Sequence, residues 1–316
     1  MNRIVIFSGS AHRDLAEEVS GHLSLPVSPS VLSRFSNDCL QVQLNANCRG
    51  ADVFMIQPLG PPVQENLMEL LLMLDAARGA SASRRTAVIP YFSYSRSDKK
   101  DEPRISIAAR LVADLLVTAG AERVLTLQLH KAQVHGFFSV PVDHLNAFQV
   151  LASHFRKQDL SDTVVVSPDL GNAKDASHFA RLLKLPMAAG VKQRINDETV
   201  VIDMIVGDVE NKKVIIMDDE IATGGTILQL LEKLRERKVR DIQIACTHAI
   251  FSGRSIERFR AQADIREIVT TNTVPIPPDK RLPNMTILSI APLLAETIRR
   301  IHNGESVSSL FTEETC

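Results

Sequence analysis

The chain has 316 residues, of which 45% are hydrophobic and 23% charged, enough length and apolar content for two globular domains and the wrong composition for a disordered or collagen-like chain. Its 36 Lys and Arg are matched by 37 Asp and Glu, a formal net charge of −1, so no overall field draws it to nucleic acid or to anionic lipid. Any anion site must be local.

The apolar run at 4–7 stops at Ser8-Gly9-Ser10, too short for a secretory signal. The most apolar helical stretch, 67–77, contains Glu69 and Asp75 and is about half as long as the ~20 residues of a membrane span. A cytoplasmic protein that engages neither membrane nor nucleic acid is expected. Cys39, Cys48, Cys246 and Cys316 form no C-x-x-C pair and no zinc spacing, so buried thiols are expected rather than disulfides or a structural metal.

Short β-branched runs alternate with amphipathic ones along the chain. The pattern predicts strands at 4–7 and 53–56, a helix at 66–78, a strand at 86–91, a polar loop at 93–104, a helix at 107–119, a strand at 124–127 and a helix at 144–155. It continues with a strand at 164–167, a helix at 177–185, a polar loop at 190–198, a strand at 214–217, a helix at 226–237, a strand at 242–246 and a final helix at 291–301. Strands this apolar are buried on both faces, which implies an α/β protein with parallel sheets covered by helices. The helix-link-strand order of 66–91 returns at 226–247, so two similar halves are expected, 1–145 and 146–316, with the last helix free to pack on either.

The sharpest chemical signal is Val214-Ile215-Ile216-Met217-Asp218-Asp219-Glu220-Ile221-Ala222-Thr223-Gly224-Gly225-Thr226. A buried strand delivers two acids and then a loop of small residues that opens a helix. Gly224 and Gly225 let backbone N–H groups converge, Thr223 and Thr226 add hydroxyl donors, and the helix N-terminus favours negative charge, the requirements of a phosphate monoester site. Asp218 and Asp219 would repel that phosphate, so they must act beside it, accepting hydrogen bonds from sugar hydroxyls or holding a divalent cation. Together the run describes a site for ribose 5-phosphate. An isolated Gly-Gly is more often a plain turn; the whole run makes the case.

This run resembles the ribose-phosphate motif of the phosphoribosyltransferase fold. Further segments narrow the resemblance to the ribose-phosphate diphosphokinase, or phosphoribosyl pyrophosphate synthetase, family over nearly the whole chain. They are Arg34-Phe35-Ser36-Asn37, Asn66-Leu67-Met68-Glu69-Leu70, Val88-Ile89-Pro90-Tyr91, Leu129-His130 through Gly136-Phe137-Phe138, Ser167-Pro168-Asp169, Thr247-His248 through Phe251-Ser252-Gly253, and His302-Asn303-Gly304-Glu305-Ser306. The resemblance implies two phosphoribosyltransferase-type domains and a Mg²⁺-dependent transfer of diphosphate from ATP to the anomeric hydroxyl of ribose 5-phosphate. It implies Lys192 and Arg194 as catalytic cations, with Arg194, Asp218, Asp219, Ala222, Thr223, Gly224, Gly225 and Thr226 binding ribose 5-phosphate. ATP falls to Phe35, Asn37, Cys39, Arg96, Ser97 and His130, and the metal to His130 and Asp169. A regulatory phosphate or ADP site would use Arg49, Ser81, Ser306 and Ser308. The segment 35–39 would reach the adenine of a neighbouring subunit, which implies a homohexamer built from dimers.

Several positions depart from the common family forms. Cys39 stands where glutamate is usual, Gln128 and Ser139 replace acids near His130, and Ser97 replaces a glutamine. Asn172 and Asp175 replace a glycine and an arginine, and Ala222 replaces an aspartate. These changes motivate a second expectation, a catalytically weak regulatory subunit of such a synthetase.

Overall fold

The computed structural model describes residues 3–194 and 200–310; the side chains of 193, 194, 200, 201 and 309 fall outside that description. In chain order the elements are β1 (Ile4–Ser8), α1 (Arg13–His22), β2 (Val27–Ser28), β3 (Ser30–Arg34), β4 (Leu40–Leu44), β5 (Asp52–Ile56), α2 (Val63–Gly79), β6 (Arg84–Ile89), α3 (Ala108–Ala119), β7 (Arg123–Leu127) and β8 (Val142–Leu145). They continue as α4 (Phe148–Phe155), β9 (Thr163–Ser167), α5 (Ala173–Leu183), β10 (Met187–Arg194), β11 (Val200–Val206), β12 (Lys213–Ile221), α6 (Gly225–Glu236), β13 (Asp241–Ala249), α7 (Ser255–Arg260), β14 (Ile265–Thr271), β15 (Met285–Leu288) and α8 (Ala291–Asn303).

The chain divides into two compact units. The first comprises Met1–Asn146, Thr273–Pro275 and Ser289–Cys316; the second comprises Ala147–Asn272 and Ile276–Leu288. The terminal helix α8 therefore groups with the first unit although it follows the second in sequence.

In the first unit the described strands run in the order β2-β1-β5-β6-β7-β8, every pair parallel, and β3 and β4 form a separate antiparallel hairpin. In the second the order is β11-β10-β9-β12-β13-β14-β15, parallel except for the β10–β11 pair. In both sheets a helix joins two parallel neighbours at the same place: α2 between β5 and β6, α6 between β12 and β13. The duplication expected from 66–91 and 226–247 is thus a repeat of topology, two phosphoribosyltransferase-type units built as parallel sheets flanked by helices.

Burial follows the sequence periods. β5 and β9 are buried at every residue, as strands covered on both faces must be. α3 buries Ala109, Val112, Ala113 and Leu116, and α6 buries Ile227, Leu230, Leu231 and Leu234, each at spacing i, i+3, i+4, i+7. α8 is held to its unit by polar anchors as well. The fully buried Asp52 at the start of β5 pairs with Arg84 and accepts from His302 Nδ1 at 2.8 Å.

Two expectations are corrected. Residues 144–145 are not helical: His144 and Leu145 belong to β8, where Leu127 pairs with Leu145, so α4 begins at Phe148. The stretch 190–194 is not a loop but the end of β10, whose antiparallel pairing with β11 overrides a sequence poor in β-branched residues. Phe35, assigned to ATP from the sequence, is 53% exposed at the turn of the β3–β4 hairpin.

Arg84→Ala leaves the Asp52 carboxylate buried beside His302 without its guanidinium, and should destabilise the protein by about 3 kcal/mol in urea unfolding. A loss under about 0.5 kcal/mol would show that the pair is not an anchor.

Candidate active site

The second unit builds its site at the carboxyl ends of β9, β10 and β12, where parallel sheets place ligands. β9 ends at Ser167, but β12 runs on to Ile221; the β9–β12 register stops at Val166 with Ile216, so Asp218 and Asp219 project beyond the neighbouring strand. The loop that follows turns at Gly224, which has φ +71°, a left-handed conformation. A Cβ there would also stand 2.3 Å from the Phe259 ring, so backbone and packing both demand glycine. α6 starts at Gly225 with no side-chain cap and no acid in its first turn, so its leading amides are available to an anion. Ala222 is tied to the next loop by the Ser252 amide at 3.0 Å, and Arg258 donates to the Thr223 carbonyl at 3.3 Å. Thr223 and Thr226 flank the turn, Thr223 exposed and Thr226 half-buried.

Asp219 is 7% exposed, and its amide donates to Asp218 Oδ1 at 3.0 Å. Asp218 keeps one face partly open, yet the crowding of protein atoms around it lifts its carboxyl well above the ordinary carboxylate range, and the charges of Asp219 and Asp169 add to the lift. Burial also pushes the neighbouring Cys246 thiol up, so it stays protonated and inert.

Asp169 follows β9 and caps the short turn Leu170–Asn172, accepting the Asn172 amide at 3.2 Å. Its other oxygen takes Lys192 Nζ at 2.5 Å. Lys192 sits on β10 at an irregularity in the register with β11, and such bulges re-aim side chains beside active sites. Gly190 explains how β10 comes so close: a Cβ there would meet the Pro168 carbonyl oxygen at 2.6 Å. Arg194 ends β10, and its side chain lies outside the described residues.

Of the ATP residues named from the sequence, all in the first unit, Arg96, Ser97 and His130 follow the carboxyl ends of β6 and β7. Arg96, exposed, ends a short 3-10 turn after β6, and Ser97 Oγ accepts the Ala108 amide at 3.2 Å, capping the start of α3. His130 follows β7, and its amide donates to Ser95 Oγ at 3.4 Å, which brings the two loops together. The Leu129 amide donates to His144 Nε2 at 2.9 Å, so β8 helps hold the His130 loop. Phe35, Asn37 and Cys39 form the exposed hairpin turn, closed by the Phe35 amide on the Cys39 carbonyl at 2.9 Å, and Arg34 beside it reaches Asp38 and Glu65. Of the four regulatory candidates, Arg49 and Ser81 lie on adjoining turns joined by the Gly50 amide on the Ser81 carbonyl at 2.9 Å, while the Ser308 amide donates to Ser306 Oγ at 3.2 Å.

Sequence reasoning missed Phe259, Arg258, His144 and the linking role of Asn172. A lone aromatic or arginine on a short helix carries no local signal; only the packing reveals it.

The comparisons agree with this geometry. Residues 4–120 match the N-terminal domain of ribose phosphate pyrophosphokinase, and 196–312 match the phosphoribosyl synthetase-associated domain. The chain is 62% identical over 311 residues to a putative ribose-phosphate pyrophosphokinase of Streptomyces coelicolor, covering 98% of both chains. The chain belongs to the ribose-phosphate pyrophosphokinase family. It is also 48% identical to the ribose-phosphate pyrophosphokinase of Deinococcus radiodurans over 98% of each chain. The crystal structure of phosphoribosylpyrophosphate synthetase from Mycobacterium smegmatis superposes with TM-score 0.89 at 41% identity, over 96% of this chain and 100% of that one.

Two predictions follow from the loop and its acids. Gly224→Ala should cost about 2–4 kcal/mol of stability, from the left-handed backbone and the overlap with Phe259, in chemical denaturation; a neutral substitution would show that the turn is not constrained. Asp218 has its carboxyl raised on folding from an ordinary value of 3.8, so between the two values the folded state holds more protons and stability falls as pH rises. Asp218→Asn should therefore raise the melting temperature of the unliganded protein at neutral pH, with the gain vanishing as pH falls through about 4. An unchanged or lowered melting temperature at neutral pH would contradict the strain assigned to that carboxylate.

Proposed function

We infer that this chain is a ribose-phosphate diphosphokinase, transferring diphosphate from ATP to the anomeric hydroxyl of ribose 5-phosphate to give phosphoribosyl pyrophosphate and AMP. The observation that carries this reading is the uncapped start of α6 beside the Asp218–Asp219 pair, which offers amides to a phosphate and carboxylates to a sugar diol within one loop. High identity to named ribose-phosphate pyrophosphokinases over nearly the full chain supports it.

The phosphate of ribose 5-phosphate rests on the amides of Gly224, Gly225 and Thr226 and the hydroxyls of Thr223 and Thr226, with Ala222 keeping the loop small. Asp218 and Asp219 accept from the ribose hydroxyls. The anomeric oxygen then attacks the β-phosphorus of ATP in line, the bridging bond to the α-phosphate breaks, AMP leaves with those electrons, and the hydroxyl proton is released. Little covalent chemistry falls to the protein, so charge and position do the work. Lys192 moves from Asp169 to the triphosphate as negative charge spreads over it, and Arg194 acts with it. In the first unit Arg96, Ser97 and His130 serve ATP, and Phe35, Asn37 and Cys39 serve the ATP of a neighbouring copy.

Mg²⁺ fits the donors. Burial lifts the Asp218 carboxyl and the charges of Asp219 and Asp169 add to the lift, so a nearby cation would relieve it. No group of three or more His, Cys, Asp or Glu poised to hold a metal occurs among the described residues, which suits an ion that keeps waters and takes one or two protein ligands plus substrate phosphates. Asp169 in the second unit and His130 in the first would each serve as a Mg²⁺ ligand, and the ion would supply neutralisation of the triphosphate.

We further propose that the protein works as a homohexamer built from dimers in the cytoplasm, with phosphate and ADP acting at Arg49, Ser81, Ser306 and Ser308. No helix among the described residues is long and apolar enough to cross a membrane. A purely regulatory role is not favoured, since the identity to named ribose-phosphate pyrophosphokinases runs over nearly the full chain.

The test is incubation of the purified protein with ATP, Mg²⁺ and ribose 5-phosphate, reading AMP and phosphoribosyl pyrophosphate. Both should form in equal amounts, and Lys192→Ala should lower turnover roughly 10²- to 10³-fold while leaving ribose 5-phosphate binding nearly intact. Absence of both products over a range of metal and phosphate would defeat the reading; full turnover in the variant would remove Lys192 from the mechanism.

A further inference from the structure

β9 ends before β12 does. The last register pair between them is Val166 with Ile216, so Met217 is the first residue of β12 past the ladder. Its carbonyl would lack a strand partner on that side, and a backbone carbonyl inside a protein needs one. Asn172 supplies it: the side-chain amide Nδ2 donates to the Met217 oxygen at 2.8 Å. The same residue's backbone amide donates to Asp169 Oδ1 at 3.2 Å. Asn172 therefore binds at once the carboxylate that faces Lys192 and the peptide immediately before Asp218.

We propose that Asn172 is a positioning residue that sets the Asp169 loop against the ribose-binding acids, by completing the sheet's hydrogen bonding with a side chain beyond the end of β9. The proposal rests on the assignment of Asp218 and Asp219 to the sugar hydroxyls. Glycine, the residue common at this place in the family, keeps the backbone amide that caps onto Asp169 but has nothing to offer the Met217 carbonyl. Asparagine adds one fixed point on each side of the site. Its neighbour Asp175 lies in the first turn of α5, where a negative charge suits the positive end of the helix. The reversal of charge there is thus compatible with a loop held from the Asn172 side instead.

The substitution Asn172→Ala removes only the bond to Met217 and leaves the backbone bond to Asp169. Asn172→Asp keeps the shape, loses the donor, and sets a carboxylate against a carbonyl oxygen. Calorimetric titration with ribose 5-phosphate, without nucleotide, should show the dissociation constant about tenfold higher in the alanine variant, the size of effect expected for one hydrogen bond, and higher still in the aspartate variant. ATP affinity should stay within about twofold of the unaltered protein, and the melting temperature of the alanine variant within a few degrees, which a general loss of structure would not allow. Ribose 5-phosphate binding within twofold of the unaltered protein in both variants would overturn the inference. So would a loss that appears equally for ATP and in step with melting temperature. If the unaltered protein itself gives no heat with ribose 5-phosphate, the functional reading fails first and takes the inference with it.

Discussion

The turn at Gly224 is the constraint on which the rest depends. Its left-handed backbone, with Phe259 packed where a side chain would start, lets the chain leave β12 and enter α6 without a capping side chain, so the first helical amides face outward together. A serine or aspartate cap would satisfy those amides and close the site. The parallel sheet behind the turn gives it rigidity. β12 is gripped by β9 on one side and β13 on the other, and its overhang past β9 carries the acids into the open.

Two opposed electrostatic demands meet over a few residues. The helix start invites negative charge, while Asp218 and Asp219 concentrate it, and the burial of Asp218 makes its ionised form costly. Such an arrangement lowers stability in the empty protein and is relieved when hydroxyl donors or a cation arrive, which is the usual relation between a functional site and the fold that carries it. Lys192 resting on Asp169 is a second charged contact beside those acids, the one that the proposed reaction would exchange for phosphate.

The fold was legible where burial is two-sided. Runs such as 53–56, 164–167 and 214–217 are apolar throughout because both faces are covered, and the helices 107–119 and 226–237 show a clean apolar stripe. Elements decided by pairing rather than composition were missed: β10, whose Met-Ala-Ala-Gly start has no strand signature, and β8, whose His144 and Leu145 looked like the opening of a helix. The glycine turn and the acid pair could be read from the chain because they are contiguous. Asn172, Arg258, Phe259 and His144 could not, since each acts on a residue far away in sequence, and only the folded sheet brings those partners together.

The most direct test is a crystal of the protein soaked in ribose 5-phosphate. The account requires phosphate density against the amides of Gly224, Gly225 and Thr226, with the ribose hydroxyls turned toward Asp218 and Asp219. Sugar phosphate bound elsewhere, or a vacant loop at saturating ligand with Gly224 still in its left-handed turn, would contradict it.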